Sequence, residues 1–519
     1  MSNPATQAAG GALPPIRGTQ LVWLTLAVAL ATFMEVLDTT IVNVSVPTIA
    51  GNLAVSSSQG TWAISSYSVA AAIAVPLTGW LARRFGEVRV FLTSVFLFTI
   101  MSMLCGLATN LPMLVFFRLM QGLVSGPMVP LSQTLLLANY PPHKKGLALA
   151  LWAMTVIVAP IFGPLLGGYI TEVYSWPWIF YINAPVGVFS GWIAWRVLKG
   201  RETPTVKQPI DVVGLVLLVV GVGALQLMLD NGNDLDWFSS TFICALTVIA
   251  VIALSFLVVW ELTDPHPIVD LRLFELRNFR IGVITLSFGI TAFMGSTVLF
   301  PLWLQTVMGY TPSWAGMATA PVGILAFILS PIVGKNMHKM DLRIAASASF
   351  VIFAITMHWF STFSLDTDFS HIVMPRLFQG IGVALFFVPI NQIVLSGIGP
   401  SRMAAASGLS NFFRTLAGGF STAVTVTIWE HHTDFHHARL MEHISSTSAA
   451  TQGYMEKLQG IGMSVGGSYA HFEGLVQRQA AQLATTEIFW GFSMVFVALI
   501  GVIWLAKPPF GSTGGGGGH

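Results

Sequence analysis

Arg118-Leu119-Met120-Gln121-Gly122 and Arg376-Leu377-Phe378-Gln379-Gly380 are one phrase written twice, 258 residues apart (376 minus 118). Val129-Pro130-Leu131-Ser132-Gln133 returns as Val388-Pro389-Ile390-Asn391-Gln392 at an offset of 259 (388 minus 129). A third echo precedes them. Pro76 to Arg89 and Pro331 to Arg343 share Pro-x-x-Gly, a basic pair position and a closing Arg at an offset of 255 (331 minus 76). Arg, Gln and Pro are unusual inside apolar runs, so their return at nearly one offset points to a duplicated unit.

The runs that carry these phrases are long. The chain has 519 residues, 54% hydrophobic and 9% charged. An ordinary soluble domain carries about 25% charged residues. The mean hydropathy is +0.74. These figures argue against a soluble enzyme, a nucleic-acid binder and a disordered scaffold. The net charge of +2 implies no polyanionic partner. The two cysteines, Cys105 and Cys244, sit in apolar runs and offer neither a disulfide framework nor a metal finger.

A helix needs about 20 apolar residues to cross a bilayer core of ~30 Å. Fourteen segments meet that length: 21–46, 59–82, 90–108, 112–138, 146–170, 178–198, 211–229, 238–260, 279–305, 314–334, 344–364, 371–396, 404–429 and 487–506. The first is too long for a signal-peptide core and is read as retained. The expected fold is therefore an all-α membrane protein of fourteen transmembrane helices. It divides into a segment 1–20, a six-helix bundle 21–198, a linker 199–278 with two inserted helices, a second six-helix bundle 279–506 and a tail 507–519. The two bundles are pseudo-symmetric, and 430–486 reads as a long polar loop of the second.

Basic residues accumulate on the cytoplasmic side. With the N-terminus inside, cytoplasmic segments hold eighteen of the 24 Lys and Arg, and the short outer loops hold none. Both termini are thus expected in the cytoplasm. Duplicated bundles around a midplane site are the build of secondary transporters. No G-x-x-x-x-G-K-[ST] loop occurs, so the energy source is read as an ion gradient or the substrate's own gradient. No cofactor and no metal site are assigned.

Five ionic residues fall inside the spans, away from their ends: Glu35, Asp38, Arg118, Arg376 and Arg414. Each costs roughly 2.5–3.5 kcal/mol at mid-membrane, so each must face the protein interior or a wet cavity. At a rise of ~1.5 Å per residue, Glu35, Asp38 and Arg118 come to one level. Glu35 and Asp38 are three apart and share a helix face. An acid pair beside an Arg is a proton-binding site, with a fixed ion pair as the structural alternative. Arg376 lies near an outer helix end, where snorkelling or helix pairing is expected. Arg414 lies near the midplane, placed either to attract anionic substrate groups or to pair with a helix break. Soft and aromatic residues near that level, Phe33, Met34, Met294, Phe386 and Phe387 with Gln133 and Asn391, are candidates to line a cavity for hydrophobic compounds. In the polar loop, His432 and His436 are four apart, so a metal or pH-sensing site is conceivable; contact with a partner is the plainer reading.

The ordered motifs resemble the major facilitator superfamily, and within it the fourteen-span drug:proton antiporters of the EmrB type. The resemblance rests on Leu37 to Pro47 in the first span, Gly79 to Arg89 after the second, and Arg118 to Gly122 in the fourth. It continues in Gly163-Pro164-Leu165-Leu166-Gly167-Gly168 and in Trp176 to Pro185. It implies proton-driven export of hydrophobic drugs and toxic compounds, with Asp38 and Arg118 as the coupling pair and Glu35 tuning it. Gly79, Arg84, Gly86, Gly163, Pro164, Gly167 and Gly168 would then be conformational motifs. It also implies a bacterial inner-membrane protein working with a periplasmic adaptor and an outer-membrane channel. The family's usual Asp is replaced by Arg83, and a common Gly by Ala159. A transporter of one metabolite is the alternative; a lipid flippase or membrane enzyme ranks below it, since the spans hold no nucleophile, metal cluster or cofactor motif beside the acids.

Overall fold

The computed structural model describes residues 16–55, 57–60, 62–206, 209, 211–265, 267–442, 444 and 449–510. Among these the architecture is helical, without strands. The first span is α1 (Thr19–Asn52). The second breaks into α2 (Trp62–Ala74) and α3 (Thr78–Phe85), bent by 59°. Pro76 sits in the break, where a ring in place of an N–H ends the helical ladder. Next come α4 (Glu87–Gly106), then α5 (Leu111–Ser125) and α6 (Met128–Asn139), which form one span around Gly126-Pro127. The Asn110 side chain caps α5 by accepting from the Met113 N–H at 2.9 Å. α7 (Lys145–Val173) and α8 (Asn183–Leu198) follow.

The middle pair is α9 (Val212–Asn231) and α10 (Thr241–Thr263). Beyond it are α11 (Arg277–Thr306), α12 (Pro312–Thr319), α13 (Pro321–Asn336), α14 (Leu342–Ser361) and α15 (Phe369–Val394). The chain ends with α16 (Pro400–Glu442), α17 (Ala449–Gly460) and α18 (Val465–Ile503).

Ten of these helical stretches are long and apolar enough to cross a membrane, or eleven with the bent pair. The other three expected spans fall on α7, α8 and α16. In α7 several side chains beyond Val156 lie outside the described residues, and α8 has only 16 residues. α16 is long, but Asn411, Arg414 and its many Ser, Thr and Gly residues lower its hydropathy, while the small residues let backbones approach closely. The expected loop 430–486 departs from the structure more clearly. α16 runs helical to Glu442 and α18 starts at Val465, so most of the described part is a helical hairpin.

The packing pairs recur. α1 packs on α7 and α8, as α11 packs on α16 and α18. α4 lies against α5 and α8, as α14 lies against α15 and α18. α9 rests on α2 and α16. The two sets of helices meet at one end of the bundle, the end that carries the Arg83–Arg89 loop. There α7 packs on α13 and α15, while α16 packs on α3 and α6. A methyl group added to Gly334 would stand 2.4 Å from Ala150 Cβ and 2.6 Å from the Gly146 carbonyl oxygen. At the same end Gln133 donates to Asn391 at 3.1 Å, Ser407 donates to Gln133 at 2.6 Å, and both Gln133 and Asn391 are buried. This end is closed.

Gly334→Val is therefore expected to force that end apart. Overpacking costs about 1–3 kcal/mol, which raises the population of the open form roughly tenfold for each 1.4 kcal/mol. The check is alkylation of a cysteine placed at the buried Ala406 in a cysteine-free background. Labelling should accelerate with Gly334→Val and stay slow without it.

Candidate functional site

Asp38 lies on α1 and is fully buried. Its position is set by two glycines of α7. A Cβ on Gly163 would sit 2.1 Å from Thr40 Oγ1, and one on Gly167 would sit 2.7 Å from the Ile41 carbonyl oxygen. Only glycine at these two places lets α7 lie this close to α1 beside the acid. Gly168 meets nothing within 4 Å and plays no part in that contact. The side chain of Pro164 lies outside the described residues.

Arg118 on α5 reaches Asp38 directly. Its Nη1 stands 2.5 Å from Asp38 Oδ2, and the two side chains are 1% and 0% exposed. The guanidinium is held from three further directions. Nε donates to the Ala63 carbonyl at 2.9 Å, Nη1 donates to Gln121 Oε1 at 2.9 Å, and the Tyr67 ring lies 4.2 Å beneath Cζ. The second Asp38 oxygen accepts from Asn183 Nδ2 at 2.8 Å and from Gln121 Nε2 at 3.2 Å. Asn183 in turn donates to Ser102 Oγ at 2.9 Å, and Ser102 donates to the Phe180 carbonyl at 2.9 Å. One carboxylate thus ties α1 to α5 and α8, with α4 behind them. The expected meeting of Asp38 and Arg118 occurs. Ser102 and Tyr67 carry no signal that distinguishes them in sequence, whereas Asn183 stands in the Trp176–Pro185 motif.

Glu35 is one helical turn away and is not part of that cluster. It is 8% exposed, and its Oε2 has no hydrogen-bond partner. Its charged neighbours are Arg414, from the second set of helices, and Asp38. Arg414 also lies over the Trp152 ring at 5.5 Å. Glu35 and Arg414 therefore face each other across the division between the two sets.

The repeated phrase yields a different site. Arg376 is fully buried, which excludes the snorkelling expected from its place near a helix end. Its Nη1 donates to Gln379 Oε1 at 2.7 Å and its Nη2 to the Ser296 carbonyl at 3.1 Å. Ser296 stands 258 residues after Asp38 (296 minus 38), so serine occupies the place of the acid. Arg376 Nε and Gln379 Nε2 have no partner, and Phe300 lies 3.9 Å from the guanidinium carbon. Of the two copies, one has the full acid–base pair.

The other predicted residues are spread out. Gln133 and Asn391 bond to each other at the closed end rather than lining a cavity. Phe386 is buried against Phe350, Phe353 and Phe387 within the second set of helices. Met34 is buried, Phe33 packs edge-on to Phe162 at 6.3 Å, and Met294 is half-buried. An apolar cavity of about 310 Å³, lined by Leu225, Leu229, Phe288, Phe413 and Phe420 among others, lies between α9, α11 and α16. Sequence reading offered no sign of it, because it depends on where the inserted helices dock.

The loop after α3 is built on Gly86, whose φ of 94° disfavours any side chain and whose Cβ would strike Glu202 at 2.3 Å. Glu202 caps α4 from the linker, accepting from the Val88 and Arg89 N–H groups at 3.0 and 2.9 Å. Gly79 permits contact with α16, since a Cβ there would lie 2.7 Å from Ala405 Cα. Arg84 stacks near Trp80 and Phe85, each at 5.9 Å. Arg83, where the family usually has an Asp, donates to the Pro267 carbonyl at 3.5 Å. Nearby, Asp270 of the linker forms a two-point pair with Arg402 at 2.8 and 3.0 Å. A linker acid is tied to α16 here, beside Arg83 of the N-terminal set.

The profile of the Major Facilitator Superfamily matches residues 28–422. The multidrug export protein EmrB of Escherichia coli (strain K12) is 52% identical over 505 residues, covering 97% of this chain and 99% of that protein. The fatty acid resistance protein FarB of Neisseria gonorrhoeae is 51% identical over 506 residues, covering 98% and 99%. Among solved structures, the human organic anion transporter MFSD10 aligns with a TM-score of 0.59 at 12% identity, over 94% of this chain and 100% of its own. The proton:xylose symporter XylE aligns with a TM-score of 0.59 at 15% identity, over 94% and 95%. These structures share the fold, and the closer relatives share most of the sequence. The chain is a multi-pass membrane protein that belongs to the major facilitator superfamily.

Proposed function

We propose that this protein is a proton-driven multidrug exporter in which Asp38 is the proton carrier. The observation that carries the reading is the buried Asp38–Arg118 pair. Protonating Asp38 removes the counter-charge of a guanidinium that is 1% exposed. An unpaired buried charge is strongly disfavoured, so Arg118 must find new partners or α5 must move relative to α1. Proton occupancy and helix position are therefore linked. The 52% identity to a multidrug export protein supports hydrophobic drugs as the cargo.

In this reading the chain has fourteen spans with both termini cytoplasmic, and the bundles 21–198 and 279–506 rock about their shared face. The closed end carrying Arg83, Arg84 and Arg89 is then the cytoplasmic end, and the conformation is open outward. Gly79, Gly146 and Gly334 let that end close, and the Asp270–Arg402 pair latches it. Glu35 and Arg414 face the substrate path, where Arg414 attracts anionic groups on amphipathic cargo. One proton moving down ~100 mV releases about 2.3 kcal/mol, which supports a cargo gradient of roughly 45-fold. In an inner membrane the protein would pass cargo to a periplasmic adaptor and an outer-membrane channel, the partners implied by the resemblance to the EmrB group.

The test is extrusion of an amphipathic dye from proteoliposomes under an imposed proton gradient. Asp38→Asn, which keeps the shape of the side chain but leaves buried Arg118 without its counter-charge, should fold with lowered stability and lose gradient-driven extrusion. Glu35→Gln should retain extrusion with altered pH dependence. Coupled transport by Asp38→Asn at the parent rate would overturn the assignment. Arg118→Ala strands the carboxylate, so it should lower stability by about 3–5 kcal/mol in a denaturant titration. Asp38→Asn combined with Arg118→Gln should be milder than the sum of the two single changes.

A further inference from the structure

The hairpin formed by the outer ends of α16 and α18 carries a group that transport does not use. His432 and His436 lie four residues apart on α16 and share a face. Glu487 faces them from α18. His432 Nδ1 stands 2.9 Å from Glu487 Oε2, and His436 Nε2 stands 3.0 Å from the same oxygen. The three ligand-type atoms all lie within 4.8 Å of one another. We propose that His432, His436 and Glu487 form a binding site for a divalent transition cation of the zinc type, which clips α16 to α18.

Three observations support the site. First, two imidazole nitrogens from one helix and one carboxylate oxygen from another converge on a single point, the donor set that suits zinc. Bonds of about 2.0–2.2 Å in tetrahedral geometry place neighbouring ligand atoms about 3.4 Å apart, against 2.9 and 3.0 Å for the two histidine–carboxylate separations here. Second, His436 Nε2 is buried and has no aligned hydrogen bond, although it is 3.0 Å from the carboxylate. A nitrogen so placed suits a lone pair directed at a cation as well as it suits an N–H. Third, the rings are already held. His436 packs edge-on to Phe435 at 5.5 Å, and its side chain is only 12% exposed. Below the site, Trp429 Nε1 donates to Thr485 Oγ1 at 2.8 Å, which fixes the register of the two helices.

Three protein ligands leave a fourth position open for water. His432 and Glu487 are about half exposed, so a cation can reach the site from solvent. The site lies some 30 Å along α16 from the closed end, by the helical rise between Asn411 and His432. Binding there would hold the outer hairpin together without touching the Asp38 cluster. Because imidazole must be neutral to ligate, affinity should weaken as pH falls through the histidine range. The neighbouring pair of His437 Nε2 and Glu473 Oε1, at 2.6 Å, is built from one histidine and one acid and serves as the control.

The experiment is zinc titration of the purified, tag-free full chain by calorimetry, with cobalt(II) spectroscopy to report ligand geometry. One zinc per chain is expected, with a four-coordinate cobalt spectrum and a rise in thermal midpoint on zinc addition. His432→Asn and His436→Asn should each weaken binding at least tenfold and abolish the thermal shift, and Glu487→Gln should weaken it measurably. His437→Asn should leave it unchanged. Absence of saturable binding by the parent, or equal affinity and stoichiometry in His432→Asn and His436→Asn, would overturn the proposal. Dye extrusion by His436→Asn at the parent rate is expected in either case, so failure here is separable from failure of the transport reading.

Discussion

Two opposite charges, 2.5 Å apart and both shut away from solvent, fix the arrangement of the first six-helix set. Neither could be placed alone in hydrocarbon without a cost of roughly 2.5–3.5 kcal/mol on insertion scales. Together, with Gln121, Asn183, Ser102 and the Ala63 carbonyl as hydrogen-bond partners, they form a polar core within an apolar bundle. The surrounding sequence serves that core. Glycines at 163 and 167 bring α7 against α1, and Tyr67 closes the face of the guanidinium.

The duplicated half shows what the chain does without the acid. Arg376 and Gln379 are preserved, but Ser296 offers only a carbonyl, and the charge leans on the faces of Phe300 and Phe360 instead. A cation–π contact is worth up to about 2 kcal/mol when desolvated, which offsets part of the cost of burial. The two halves thus share a scaffold while differing in chemistry. The closed end, where Gly146 and Gly334 approach each other, is where the two sets touch.

Much of this was legible in the chain itself. Periodic apolar runs placed the helices, and simple helical rise brought Asp38 and Arg118 to one depth. Depth alone could not tell that Arg376 is buried, because which face of a helix meets a neighbour depends on packing across the bundle. The level of Gln133 and Asn391 in the membrane suggests cavity residues; the structure joins them to each other across the closed end, a pairing that depth alone does not reveal. Phe386 belongs to an aromatic core for the same reason that any apolar residue can fill or line, and sequence does not separate the two. The polar stretch after the thirteenth span looked like loop because its hydropathy is low, yet its backbone is helical and stapled by His432, His436 and His437 to acids on α18.

The most direct measurement is proton release from purified protein in weakly buffered solution as a hydrophobic drug is added. If Asp38 exchanges its proton for cargo, one proton should leave per chain in the parent and none in Asp38→Asn. Equal release by both proteins, or none from the parent while drug binding is saturable, would contradict the account.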